Sequence, residues 1–162
     1  MNNRLTLSSQ AASLVSNTGM IMTDFSSSPF GSEITSTDVM TLLTAQTGWQ
    51  NKYRQLILLG KKIPALTDDY KVTENQIKGC ESQAWIVFSC DNDGRLWFGL
   101  DSDARIVKGL MAVLLAAVNG KTRIEIAAFD VDDYFAQLGF MQQLSPSRGN
   151  GLKAVIAAIQ AA

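Results

Sequence analysis

Between Trp49 and Leu59 the apolar positions Trp49, Tyr53, Leu56 and Leu59 recur at helical spacing, whereas from residue 82 to residue 100 they alternate. The first pattern predicts an amphipathic helix opened by a Thr47/Gln50 capping box and stopped at Gly60. The second predicts a hairpin: residues 82–90 and 95–100 flank Asp91-Asn92-Asp93-Gly94, where Gly94 suits a positive φ. Ala84, Ile86, Phe88 and Cys90 share one face of the first strand, and Leu96, Phe98 and Leu100 the same face of the second. That face is expected to pack on helices. The opposite face, with Gln83, Trp85, Val87, Ser89, Trp97 and Gly99, is more mixed.

Helical spacing returns after residue 101, where Ile106, Leu110, Val113, Leu114 and Ala117 form one stripe. Asp101, Ser102 and Asp103 at its start suit the positive end of a helix dipole. Upstream, residues 37–44 predict a short helix capped by Ser36, and residues 61–75 a loop. Downstream, Thr122 and Glu125 form a capping box, and Asp130 and Gly139 bracket a helix over 131–138. Ser145-Pro146 opens a last helix running to residue 162. Two helices, a hairpin and then several helices predict an α+β domain with helices against one face of a small antiparallel sheet.

The 162 residues suffice for one domain with a normal core. No apolar run reaches the roughly 18 residues of a transmembrane helix. The first 22 residues carry one basic residue and no uninterrupted apolar stretch, so a signal peptide does not fit. Residues 1–30, including Ser26-Ser27-Ser28, are expected to be a poorly ordered extension, with Met20 and Met22 as alternative starts and a single domain over 31–162.

A net charge of −1 supplies no field for polyanions, which argues against nucleic acid as a ligand. The chain has no histidine, which removes the commonest general base and every Ser-His or Cys-His dyad. Two cysteines outside CxxC spacing make neither a disulfide scaffold nor a structural zinc site, and a reducing cytosol is the expected compartment. Chemistry is left to thiol, carboxylate, amine and backbone groups.

The cysteines differ in context. Cys90 alternates with Ile86 and Phe88 on the apolar face and reads as buried packing. Cys80 precedes the strand, between flexible or polar flanks, Lys78-Gly79 and Glu81-Ser82. Gly79 permits a tight turn that would present the thiol. Local context leaves both an inert thiol and thiol–sulfur exchange open, the latter needing little beyond an accessible thiolate. Arg148-Gly149-Asn150-Gly151 fits neither GxGxxG nor GxxxxGK[ST]. Arg148 nonetheless places a cation in the first turn of a helix, against the dipole, so a partner elsewhere is expected. The Trp and Tyr residues read as core.

Four segments, WQNKYRQLILLGKKIP (49–64), IKGCESQAWIVF (77–88), GLDSDARIVKGLMAVLL (99–115) and LSPSRGNGL (144–152), together resemble the SufE/CsdE family of sulfur acceptors for cysteine desulfurases. The resemblance covers roughly residues 30–160; SPFGSEIT (28–35) and LLAAVNGKT (114–122) are more similar to CsdE, FDVDDYFAQL (129–138) and LSPSRGNGL (144–152) at least as similar to SufE, for a slight lean to CsdE. It implies an IscU-like two-layer α+β fold whose sheet has a third strand that the residue pattern does not reveal. It implies an accessory protein, not an enzyme, with no cofactor of its own, because the pyridoxal phosphate (PLP) belongs to a SufS/CsdA-like desulfurase. Cys80 would attack the outer sulfur of the desulfurase persulfide, stimulate that enzyme and relay sulfur to iron–sulfur cluster assembly or a tRNA-modification protein. Gly79 would hinge the loop, with Ser82 and Gln83 beside the thiol, Asp103 near the partner surface and Arg148 holding the loop or orienting the partner. An IscU-like cluster scaffold, or an interaction module with an idle thiol, are the other readings; membrane and nucleic-acid partners are not expected.

Overall fold

A computed structural model describes residues 24–162. Two helices, α1 (Ser36–Thr44) and α2 (Trp49–Gly60), precede a long loop and the hairpin of β1 (Ala84–Cys90) and β2 (Arg95–Ser102). Helix α3 (Arg105–Val118) follows, then β3 (Lys121–Thr122), α4 (Arg123–Ala128), α5 (Val131–Leu138) and α6 (Pro146–Gln160). The sheet order is β1-β2-β3, antiparallel throughout, with Phe88 opposite Phe98 and Arg95 opposite Thr122. The α+β class holds, and the third strand is present. It spans two residues, too few for an alternating pattern to register in the sequence.

Helix α3 is the centre of the molecule, with every residue from Gly109 to Val118 buried. Its crossing with α2 depends on two glycines. A Cβ at Gly109 would lie 2.4 Å from the Leu56 carbonyl oxygen, and one at Gly60 would lie 2.9 Å from the Gly109 nitrogen. Gly60 is therefore a helical residue needed for close approach, not the cap expected of it; Lys61 takes that position in αR conformation. The helix also starts differently: Gly48, not Thr47, is its N-cap, at φ 82° and with no side-chain bond. For α1 the cap shifts by one residue, because Thr35 and Asp38 form a reciprocal capping box. The Thr122, Asp130 and Ser145 caps and the Gly139 stop are formed.

One sheet face packs on the helices through Ala84, Phe88, Leu96, Phe98 and Leu100. The other is not left to solvent. Trp85 and Val87 form a second cluster with Leu66, against which Phe25 and Tyr70 pack. Gly99 makes room there, since a Cβ would come within 3.0 Å of the Phe25 ring and 3.1 Å of Leu66. The expected poorly ordered extension lies outside the described residues up to residue 23. Beyond it, Asp24, Ser26 and Ser27 are exposed, but Phe25 N donates to Ser89 Oγ (3.2 Å), Ser28 is buried, and Phe30 is fully buried. The packed chain thus begins before residue 31. Cys90 is half-buried at the edge of the core, with Sγ 3.6 Å from the Asp91 carbonyl, and so is less enclosed than expected.

Candidate functional site

The segment holding Cys80 is a loop with a closed neck. Gln76 bridges to Trp85, and Ile77 N donates to Ala84 O at 2.8 Å. Residues 78–83 bulge between these pairs. Gly79 sits at φ 86°, a left-handed conformation that a side chain makes costly, so this position turns the chain back toward the body.

The turn lays the loop on α6. A Cβ built on Gly79 would lie 3.7 Å from Ala154 Cβ, and one built on Gly151 would lie 3.2 Å from Cys80 Sγ and 4.0 Å from Val107 Cγ2. Cys80 is half-buried and packed at the edge of the core, while Lys78, Gly79 and Glu81 are exposed. The sulfur rests on the bare backbone of Gly151.

The far end of the loop is tied down by Asp103 and Ser102. Asp103 Oδ1 accepts from Gln83 N (3.0 Å), Asp103 N donates to Gln83 O (3.1 Å), and Ser102 Oγ donates to the same carbonyl (2.7 Å). Gln83 therefore acts through its backbone; its side chain is exposed. The carboxylates of 101–103 do not dress the first turn of α3, as expected from the sequence. Asp101 is buried and lies 3.2 Å from both Lys71 and Lys108, joining the loop before the thiol to α3. Burial pushes its pKa up, but the Ser102 N–H and the two ammonium groups outweigh that and hold it below the ordinary aspartate value.

Arg148 finds the partner that its place in the first turn of α6 calls for. Its guanidinium lies 5.6 Å from the centroid of the Tyr53 ring, and Nη2 is 3.5 Å from the Tyr53 hydroxyl. The first distance is a cation–π contact; the second is at the limit of a hydrogen bond. No carboxylate lies within 4.0 Å of Arg148 among the described residues. Tyr53, which reads as core in the sequence, is half-buried against the core and also lines the surface. It shares with Arg148, Ser82, Arg105 and Ser147 a cavity of about 510 Å³ beside the cysteine loop.

The structure thus brings Cys80 and Gly79 together on α6, and Ser82 together with Arg148 in the adjoining cavity. Gln83 and Asp103 form the loop's anchor. Sequence reasoning missed Gly151, Asp101 and Tyr53. The glycine pair in RGNGL, inside a stretch that otherwise reads as helix, was the available signal for Gly151.

The SufE family, described as an Fe-S metabolism associated domain, matches residues 37–162. The chain belongs to the SufE family. It is 44% identical over 138 residues to the sulfur acceptor protein CsdE of Escherichia coli K12, covering 85% of this chain and 94% of that protein. This agrees with the lean toward CsdE. An uncharacterized SufE-like protein of Rhizobium etli is 40% identical over 115 residues, covering 69% of this chain and 78% of the relative. A solution structure of a hypothetical protein from Thermus thermophilus superposes with a TM-score of 0.62 at 15% identity, over 78% of this chain and 90% of the other. That likeness concerns the fold alone. No helix of the described residues is long and apolar enough to cross a membrane.

Proposed function

We propose that this SufE-family member is a sulfur acceptor that takes persulfide sulfur from a PLP-dependent cysteine desulfurase onto Cys80. The observation that carries the reading is the seat of the thiol: half-buried against Gly151, on a loop whose neck is closed and whose turn is made by Gly79. Similarity to a protein named as a sulfur acceptor supports it. The Cys80 thiolate attacks the outer sulfur of the desulfurase persulfide. A new S–S bond forms at Sγ, the old one breaks, and its electron pair leaves with the desulfurase thiolate. The sulfane sulfur moves without net oxidation, so the acceptor needs neither redox partner nor cofactor. Removing the enzyme's persulfide stimulates its turnover, and the loaded thiol passes sulfur to a cluster-assembly or tRNA-modification acceptor in the cytosol. Lying back on α6 between transfers, the loop limits over-oxidation of the sulfur.

The test incubates the protein with a cysteine desulfurase, pyridoxal phosphate and L-cysteine, followed by intact and peptide mass spectrometry. One added sulfur on the Cys80 peptide is expected, retained in Cys90→Ser and lost in Cys80→Ser. Sulfur on Cys90 and never on Cys80 overturns the proposal, as does a Cys80→Ser protein that stimulates the desulfurase fully.

A further inference from the structure

A second concavity, about 710 Å³, runs along the outer face of α2. Its apolar lining is Trp49, Tyr53, Ile57 and the exposed Leu58, beside Gln50; its charged residues are Arg54, Lys61 and Arg148, and no acidic side chain lines it. Three formal positive charges therefore border one apolar groove on a chain whose net charge is −1. The groove adjoins the cavity at the cysteine loop, since Tyr53 and Arg148 line both.

Those features restrict what can lie in it. Arg54 and Lys61 are seven residues apart on and just beyond one helix, so their backbones are about 10 Å apart along its axis. Two carboxylates two turns apart on an opposing helix match that spacing, and the turns between them would cover Ile57 and Leu58. A cationic or neutral segment would leave three guanidinium and ammonium groups losing solvent without compensation. A segment leaving the groove at Arg148 arrives beside Ser82, at the base of the loop that carries Cys80.

We infer that the α2 groove binds an acidic amphipathic helix of the cysteine desulfurase and thereby sets the approach of that enzyme to Cys80. The inference rests on the sulfur-acceptor reading for the identity of the partner, and adds to it a docking surface separate from the thiol. Recognition follows the helix-in-groove mode, with rim charges steering the encounter and the apolar lining holding it.

The experiment measures the Kd between the full chain and a resting cysteine desulfurase, by calorimetry at low and at physiological salt. Arg54→Glu/Lys61→Glu is compared with Lys62→Glu, an exposed neighbour outside the groove. The double reversal is expected to weaken binding about tenfold or more at low salt and to flatten its salt dependence, with Lys62→Glu near wild type. Leu58→Ala, which keeps every charge, is expected to weaken binding severalfold with an unchanged salt dependence. Equal affinity for wild type and the double reversal, both folded by circular dichroism, overturns the inference, as does equal weakening by Lys62→Glu. Because binding is read without sulfur transfer, failure of Cys80 to load in the mass-spectrometric test is a separate result.

Discussion

The sulfur of Cys80 sits where α6 has no side chain, so that a methyl group on Gly151 would come within 3.2 Å of Sγ. That separation is tighter than ordinary contact, yet the atom that must give belongs to a loop, not to a packed helix. Alanine is also the better helix former by about 0.5–1 kcal/mol. Gly151→Ala is therefore expected to change unfolding free energy by no more than about 1 kcal/mol. The loop should lift instead, and Cys80 alkylation by iodoacetamide should rise severalfold while Cys90 alkylation stays constant. Peptide mapping over a time course separates the two thiols.

Gly109 offers the contrasting case. Its added Cβ would lie 2.4 Å from the Leu56 carbonyl oxygen, backbone against backbone at the centre of the core. Neither helix can yield without disturbing α3. Gly109→Ala is expected to cost about 3 kcal/mol or more, read from the urea midpoint at constant m.

Asp101 couples stability to acid. Its folded pKa lies below the ordinary value of 3.8, so its contribution is fully present above that value and is lost as pH falls through the folded pKa. Asp101→Asn leaves the half-buried Lys71 and Lys108 without their counter-charge, for an expected loss of about 2 kcal/mol at neutral pH. The variant should also show a shallower fall in stability below pH 4 than wild type, in urea melts across that range.

Asp103 governs the loop's anchor. Asp103→Ala removes the acceptor for Gln83 N, a loss of about 1 kcal/mol concentrated at that end of the loop. Amide exchange at Gln83 should accelerate about fivefold, with exchange in α3 unchanged. Asp103→Asn keeps an oxygen in the same place and should restore most of the protection.

Arg148 is held by the face of Tyr53 more than by its hydroxyl, given 5.6 Å to the ring centroid and 3.5 Å to the oxygen. Tyr53→Phe should then leave desulfurase stimulation near wild type, whereas Tyr53→Ala and Arg148→Ala should lower it to a similar extent. Arg148→Lys should rescue poorly, because a compact ammonium does not stack as a planar guanidinium does. Titration of stimulation against acceptor concentration distinguishes these outcomes.

The elements of this fold were legible wherever periodicity ran for two turns or more, or alternation for four residues. The hairpin, α3 and the caps at Thr122, Asp130 and Ser145 follow from residue spacing alone. What escaped were contacts between distant segments. Gly60 reads as a stop signal because glycine often ends helices, but its small size is needed for Gly109, about fifty residues away. Asp101 reads as a helix-dipole carboxylate because its lysine partners are seven residues downstream on α3 and thirty upstream in a loop. At the candidate site, Gly79 and Cys80 stand out in the sequence. Gly151 does not, since its neighbour across space lies seventy-one residues earlier.

The bonds at the neck between Ile77 and Ala84 and across Gln76 and Trp85 divide the molecule mechanically. With Gln83 bound to Asp103 and Ser102, the stretch between the neck and that anchor is residues 78–82. A displacement of Cys80 confined to that stretch would leave the sheet and α3 where they are, so the shape of the body need not depend on whether the thiol carries sulfur.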